Sequence, residues 1–242
     1  QGVWNGSSSL KWLRAGSFQG NPTGNKSAAL ANFPAPPEPT SGSRILAERL
    51  KYPEFVPPAV VFPHGKVGNS PSGVSCDMTK GKFGPWEGQM LVGEQTASQV
   101  QRVNLEQVNG LYQGAVFHFL GGFEAGLIPV RMDQEDGTLF IGGSNRGWGS
   151  RGSKTFTFER VRFKGKAPFE MHDISARADG FEVTFTQPVD AAAAADVKNY
   201  TMDTFTYIYQ SSYGSPEVDQ TTPTVKSATV SADGLKVRLV VE

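Results

Sequence analysis

The chain has 242 residues with 23 basic and 23 acidic side chains, long enough for one large or two modest domains with a full hydrophobic core and no need of disulfide staples. Zero net charge removes the electrostatic case for nucleic acid or an anionic membrane surface as a partner, so a small neutral ligand fits better. Cys76 is the only cysteine, which excludes an internal disulfide, a multi-cysteine metal site and an attached haem, and no apolar run approaches the ~20 residues of a membrane span.

Glycine at 28 positions and proline at 16, with few helical patterns, point to many short strands joined by turns. Residues 1–19 begin with a glycine-rich turn and continue into a strand-like Ser-Leu-Lys-Trp-Leu-Arg, with Trp4 and Trp12 read as core or inter-sheet residues. The opening carries neither an initiator Met nor a signal-peptide pattern, and the expectation is a fragment or a processed chain. A proline-rich insertion at about 20–57 has too few periodic apolar positions for regular structure. Within it Ser43 is placed to cap a short helix through Leu50, with Ile45, Leu46 and Leu50 near one face and Pro53 as its stop.

Residues 57–73 lead from an apolar strand into a polar loop in which His64 and Lys66 are candidates to face a ligand, the alternative for His64 being a hydrogen bond within its own loop. Four strands follow at 73–78, 89–94, 99–105 and 111–119, the first containing Cys76 as a small core side chain and the last His118 between two phenylalanines. Strands at 128–132, 138–142 and 155–163 then repeat the opening of the pattern: Leu-Val-Gly-Glu-Gln-Thr at 91–96 aligns with Phe-Ile-Gly-Gly-Ser-Asn at 140–145. A four-stranded repeat of roughly 40–50 residues is the mark of a β-propeller blade. The acidic run Asp133, Glu135 and Asp136 has incomplete spacing for a calcium loop and reads as a turn.

The stretch 137–152, Gly-Thr-Leu-Phe-Ile-Gly-Gly-Ser-Asn-Arg-Gly-Trp-Gly-Ser-Arg-Gly, is the strongest candidate site. Its glycines permit close backbone approach, Arg146 and Arg151 offer rigid donor forks, Asn145 adds an amide, and Trp148 a flat face for stacking. The competing reading is a set of tight turns whose arginines tie one sheet to the next. Gln95 and Thr96 occupy the equivalent loop of the preceding repeat.

After Lys166 the pattern changes to strands at 174–178, 181–186, 200–208, 224–230 and 236–241, with Asp-Gly turns at 179–180 and 233–234. A brief helical connection is expected at the alanine run 191–195. Tyr207, Tyr209 and Tyr213 cluster in what should be a loop, either stacking on sugars or packing that loop onto the preceding sheets. The fold expected is all-β: a partial β-propeller of about two to three four-stranded blades over 1–166, then an Ig-like β-sandwich over 167–242.

The strings Gly-Gly-Ser-Asn-Arg-Gly-Trp-Gly-Ser-Arg-Gly, Phe-Pro-His-Gly-Lys-Val-Gly-Asn-Ser-Pro-Ser-Gly and Val-Gly-Glu-Gln-Thr resemble secreted bacterial proteins with glucose/sorbosone dehydrogenase-like propellers, several of which carry cytochrome-c-type domains. The resemblance extends over almost the whole chain. It implies a secreted or periplasmic protein, a carbohydrate or related polyol as ligand, pyrroloquinoline quinone as a possible cofactor, and a cytochrome-c-type domain elsewhere as a possible electron partner; calcium is possible but has no motif. By residue type it points to Asn145, Arg146, Trp148 and Arg151, with Gln95 and Thr96 in the preceding loop. The catalytic base is left unassigned, since His64, His118 and His172 match no motif. Two functions follow: a sugar-dehydrogenase-like protein that binds or oxidises carbohydrate through its loops, or a non-catalytic scaffold that binds carbohydrate or protein. Asn5, Asn25 and Asn199 begin glycosylation triplets, a pattern that arises often by chance.

Overall fold

Alternation of apolar and polar residues gives a strand two unlike faces, and here both faces of one sheet are used. The computed structural model describes residues 8–19, 42–209 and 215–242. Trp4, Tyr213, Asn5, Asn25 and residues 20–41 of the proline-rich insertion lie outside the described residues. Strands β3 (Pro71–Cys76), β4 (Met90–Glu94), β5 (Gln99–Val108) and β6 (Leu111–Leu120) form an antiparallel meander in chain order. Its central strand β4 is buried from Leu91 to Glu94, as a strand covered on both sides must be.

One face of this first sheet meets a second meander made of β7 (Leu127–Met132), β8 (Leu139–Ser144) and β9 (Phe156–Val161). Leu91 and Val100 from the first sheet join Leu127, Val130, Leu139 and Ile141 from the second in a core that includes Phe83, Trp86 and Phe123. Burial of each large side chain there contributes roughly 1.5–3 kcal/mol. Glycine makes the contact close: a Cβ on Gly73 would lie 2.4 Å from the Ile128 carbonyl oxygen, and one on Gly93 would lie 2.8 Å from Val130. The other face of the first sheet carries Val92 and Val103 against Val60 and Phe62; the latter belong to a two-stranded sheet of β1 (Ser8–Leu10) and β2 (Val60–Phe62).

The C-terminal part holds β10 (Met171–Arg177), β11 (Gly180–Phe185), β14 (Val225–Val230) and β15 (Lys236–Val241) in an antiparallel sheet of order β10-β11-β15-β14. The first Asp-Gly pair leads into β11, with Gly180 as its first residue, and the second lies between β14 and β15, where Asp233 accepts from Leu235 N at 3.0 Å while Gly234 takes a φ of +72°. Val183, Val225, Val237 and Leu239 form the core of this sheet, packed with Ala194, Val197, Tyr200 and Met202. Those residues come from α2 (Ala191–Ala195), a 3-10 turn at Val197–Asn199 and the segment after it. The alanine helix starts at Asp190, whose carboxylate accepts from Ala193 N at 2.9 Å. The remaining pair, β12 (Thr204–Tyr207) and β13 (Glu217–Thr221), makes its own two-stranded sheet. All sheets are antiparallel, and none among the described residues closes on itself.

Two local expectations are corrected. The helix α1 (Ile45–Arg49) has Arg44 at its N-cap in extended conformation with no side-chain cap; the Ser43 carbonyl accepts from Tyr209 N, and its buried hydroxyl has no hydrogen-bond partner among the described residues. Leu46 and Leu50 are exposed at 65% and 88% and Glu48 is buried, while the Ile45 side chain lies outside the described residues. The packing around this helix is set by Tyr209, which touches Phe55 edge to face at 5.5 Å. Burial first, then the Glu48 carboxylate, pushes the Tyr209 phenol up to about 12. The β12–β13 pair is tied to the same region by a two-bond fork from Arg44 to Asp219 at 2.7 and 3.1 Å.

The first sheet and β10 are joined through Arg102, which is fully buried. Its guanidinium lies 4.1 Å from the Trp86 ring and 4.4 Å from that of Phe117, and donates to the carbonyls of His172 and Met171 and to the Gln89 amide oxygen. Beside it His172 stacks on Trp86 at 5.6 Å and donates from both ring nitrogens, Nδ1 to Asp173 at 2.7 Å and Nε2 to the Pro85 carbonyl at 2.5 Å. The hydrogen bond to Asp173 holds the imidazole above its ordinary pKa, against burial and the nearby Arg102 charge, and the same bond holds Asp173 below its own.

A folded-state pKa raised above the ~6.5 of an unfolded histidine means the stabilisation is complete below that pH and is lost as pH rises through the raised value. The Asp173 contribution runs the other way and is lost on acidification below ~3.9. The stability difference between wild type and His172→Gln is therefore expected to shrink as pH rises from slightly acid to alkaline in denaturant titrations. A difference that stays constant across that range would rule the charged junction out.

Candidate functional site

Three loops at one end of the two meanders enclose a cavity of about 480 Å³, within the range of small-ligand sites. The first loop follows β2. The Pro63 carbonyl accepts from Lys66, Val67 and Gly68, and Asn69 Oδ1 closes the turn by accepting from Gly65 N at 2.7 Å, where φ is +75°. The second loop joins β4 to β5, and the third is the glycine-rich stretch between β8 and β9.

A single carboxylate ties the first loop to the second. Glu94, fully buried at the end of β4, accepts backbone N–H bonds from Asn69 at 2.9 Å, from Ser70 at 2.5 Å and from Ala97. Three charge-assisted bonds to one anion fix both loops without a cation. Gln99 and Gln101 reinforce the floor by donating to the Val67 carbonyl.

The third loop is zipped to the second. Arg151 N donates to the Thr96 carbonyl at 2.8 Å, Gly152 N to Ser98 Oγ at 2.9 Å, and Ser98 Oγ to Ser150 Oγ at 3.0 Å. Asn145 braces this loop from inside. Its Oδ1 accepts from Gly126 N at 3.0 Å and Ser150 Oγ at 2.6 Å, and its Nδ2 donates to the carbonyls of Gly152 and Lys154 at 2.7 and 2.8 Å. An amide offers two donors and one acceptor oxygen, so Asn145 is fully committed.

Of the residues singled out from sequence, Lys66, Thr96 and Arg151 line the cavity together. Asn145 is corrected from ligand contact to loop brace. Gln95 lies outside the lining and donates to the Trp148 carbonyl at 3.2 Å. Trp148 is 78% exposed and, like Arg146, stands on the outer part of the loop away from the lining. His64 is on the exposed turn just before Gly65 and does not line the cavity either. The residues that sequence reasoning missed are Asn69, Gln99, His118 and Ser150. His118, a strand residue by its sequence pattern, is exposed on β6 between the half-buried Phe117 and Phe119, and alternation with two phenylalanines is the one sequence signal that sets its ring on the opposite face.

The cavity's charges are unequal in availability. Lys66 pairs with Glu217 of β13 at 2.6 Å and lies 5.1 Å from the Phe205 ring, and the Glu217 hydrogen bond holds its pKa above the ordinary value. The Arg151 side chain has no hydrogen bond or ion pair among the described residues, and it also borders a neighbouring cavity of about 310 Å³ along Ala97, Ser98 and residues 122–124. Around the main cavity the Arg151 guanidinium and the His118 imidazole carry no hydrogen bond or ion pair among the described residues, while Asn69, Gln99, Thr96 and Ser150 are each partly engaged within the loops and keep their remaining lone pairs or N–H groups for a ligand. Such a set can donate to and accept from a hydroxyl-rich solute.

No group of three or more His, Cys, Asp or Glu placed to hold a metal occurs among the described residues. At the acidic turn, Asp133 Oδ1 is taken up by Glu135 N and Asp136 N and Asp136 pairs with Arg162 at 3.0 Å. No helix among the described residues is long and apolar enough to cross a membrane. Comparison with protein-family models, with curated proteins and with solved structures gave no match.

Proposed function

We propose that the chain binds a carbohydrate or related polyol in the cavity formed by the loops after β2, β4 and β8. The observation that carries this reading is the convergence of Arg151, His118, Asn69, Gln99, Thr96 and Ser150 on one space of about 480 Å³, on a scaffold whose loops are already fixed by Glu94 and Asn145. A preformed polar site avoids the ordering cost that weakens flexible ones.

The sugar-dehydrogenase reading implied by the resemblance adds pyrroloquinoline quinone, and the cavity residues do not fit that group. A tricarboxylate calls for several converging cations and a planar ring for an aromatic wall. Here Lys66 is neutralised by Glu217, Arg151 is the one uncommitted cation in the lining, and Trp148 lies outside it. The binding reading is therefore the better supported of the two. The arrangement of the sheets supports a radial, propeller-like array for the first part of the chain, because successive meanders pack face to face in chain order. An Ig-like relationship for the C-terminal sheet rests on its alternating strands and Asp-Gly turns, while export from the cell and a cytochrome-c-type partner rest on the resemblance alone.

Calorimetric titration of the chain with glucose, sorbitol, a disaccharide and a uronic acid tests the site. Arg151→Ala is expected to lower affinity for the ligand that binds by about tenfold or more while changing the melting temperature little, since the arginine side chain is exposed and unbonded. Asn145→Ala should lower both. Absence of binding to all four classes, or an Arg151→Ala protein that binds as well as wild type, would refute the proposal.

A further inference from the structure

The two meanders match in pairing register as well as in sequence. Leu91 pairs with Arg102 across β4 and β5, and Phe140, its counterpart in the repeat, pairs with Arg160 across β8 and β9. Gly93 pairs with Val100, and Gly142 with Phe158. In the first sheet the face bearing these four residues is closed: Leu91, Val100 and Arg102 are all 0% exposed. In the second sheet the same face is open. Phe156 and Phe158 are 76% and 77% exposed, Arg160 and Arg131 are exposed, and the half-buried Phe140 stacks on Phe158 at 5.9 Å. A contiguous aromatic patch on one face of a sheet marks an interface.

We infer that this face docks a second copy of the chain, outer face to outer face, about a two-fold axis lying between the sheets and across the strands. The surface is self-complementary in that arrangement. Along the strands it runs from a Phe156 row, through Gly142 and Phe158 at the centre, to a row of Arg131, Phe140 and Arg160. A two-fold through the centre lays each Arg160 over Phe156 of the second copy, the same arginine-on-aromatic contact that Arg102 makes with Trp86 and Phe117.

Beyond the strand ends the charges also match. The acidic turn Asp133, Glu135 and Asp136 follows the arginine row, and the loop bearing Arg146 and Arg151 follows the Phe156 row. The two-fold therefore brings each acidic turn to the other copy's basic loop, giving Arg146 a partner that it lacks among the described residues of one chain. Such an isologous contact closes on itself and needs no further copies.

Sedimentation velocity of the full chain across a concentration series reads this directly, with a reversible monomer–dimer equilibrium as the expected result. Phe158→Lys should weaken dimerisation by about tenfold or more, as removal of a central aromatic anchor does, and Arg160→Glu should weaken it too. Phe181→Lys, on the C-terminal sheet, should leave it unchanged. If Phe158→Lys lowers the melting temperature, Phe156→Lys at the more peripheral exposed position gives the same readout. A wild type that stays monomeric, an open-ended ladder of oligomers, or a dimer indifferent to all the face substitutions would overturn the inference. None of these readouts depends on whether the loop cavity binds a sugar.

Discussion

Replacing Arg102 by Met is expected to destabilise the protein by about 3–5 kcal/mol, while Arg146→Met should change stability by less than ~0.5 kcal/mol. The two arginines differ in surroundings and not in charge. Arg102 is 0% exposed, bonded to Gln89 and to the carbonyls of His172 and Met171, and 3.4 Å from the Glu170 carboxylate. Burial lowers its pKa from the ordinary value and Glu170 pulls against that shift. Methionine would fill part of the space and keep contact with Trp86, yet the buried Gln89 amide oxygen and the Met171 carbonyl would lose this donor, and the His172 carbonyl would keep only the Gln89 amide. Lysine would keep the charge but could not divide itself among three acceptors as a planar fork does. In a chain of this length the loss corresponds to a fall in melting temperature of roughly 10 °C. Hydrogen exchange adds a local signature: protection in Met171–Arg177 should fall first, since the arginine joins the Gln89 amide and the Glu106 carboxylate in tying that strand to the first sheet. Equal stability losses for Arg102→Met and Arg146→Met would show the buried cation to be idle.

This contrast also explains what sequence can and cannot reveal here. The strands are legible because burial on one or both faces leaves a period-two trace: the Leu-Val-Gly repeat at β4 and its counterpart at β8 appear in the expected places and the expected order. The glycine-rich stretch is legible as a place of close approach, and it does border the cavity. Arg102 is not legible, because Gln-Val-Gln-Arg-Val places it on an alternating strand with nothing local to say that Trp86 and the backbone of β10 will close over it. Asn145 looked like a ligand residue by type, and only the positions of Gly126 and Lys154, separated from it in sequence, reveal that its amide is already occupied. The helix at Ile45–Arg49 fails for a similar reason: Leu46 and Leu50 suggest an apolar face, but both are exposed, and the buried residue is Glu48, whose charge acts on the distant Tyr209. The core of the C-terminal sheet is packed with the alanine helix and the turn after it, which alternation along single strands does not encode.

Glu94 serves stability and site at once. Glu94→Ala is expected to cost about 2–5 kcal/mol and to abolish ligand binding in the loop cavity, because three backbone donors would be left without an acceptor in a buried place. The donors belong to Asn69, Ser70 and Ala97, and two of these residues, Asn69 and Ala97, line the cavity themselves. The loops cannot satisfy those N–H groups with water unless they separate, and separation opens the space that Thr96, Gln99 and Arg151 enclose. Glu94→Gln sharpens the test: the amide keeps one oxygen for the loop nitrogens but turns an N–H₂ group toward the others, so the expected loss is intermediate in both stability and affinity. If the carboxylate were merely filling space, Glu94→Gln would match wild type in both denaturant titration and calorimetry. If it were itself a ligand contact, affinity would fall while stability stayed unchanged. The fold predicts that the two quantities fall together, and that Arg151→Ala, whose side chain bonds to nothing in the loops, separates them.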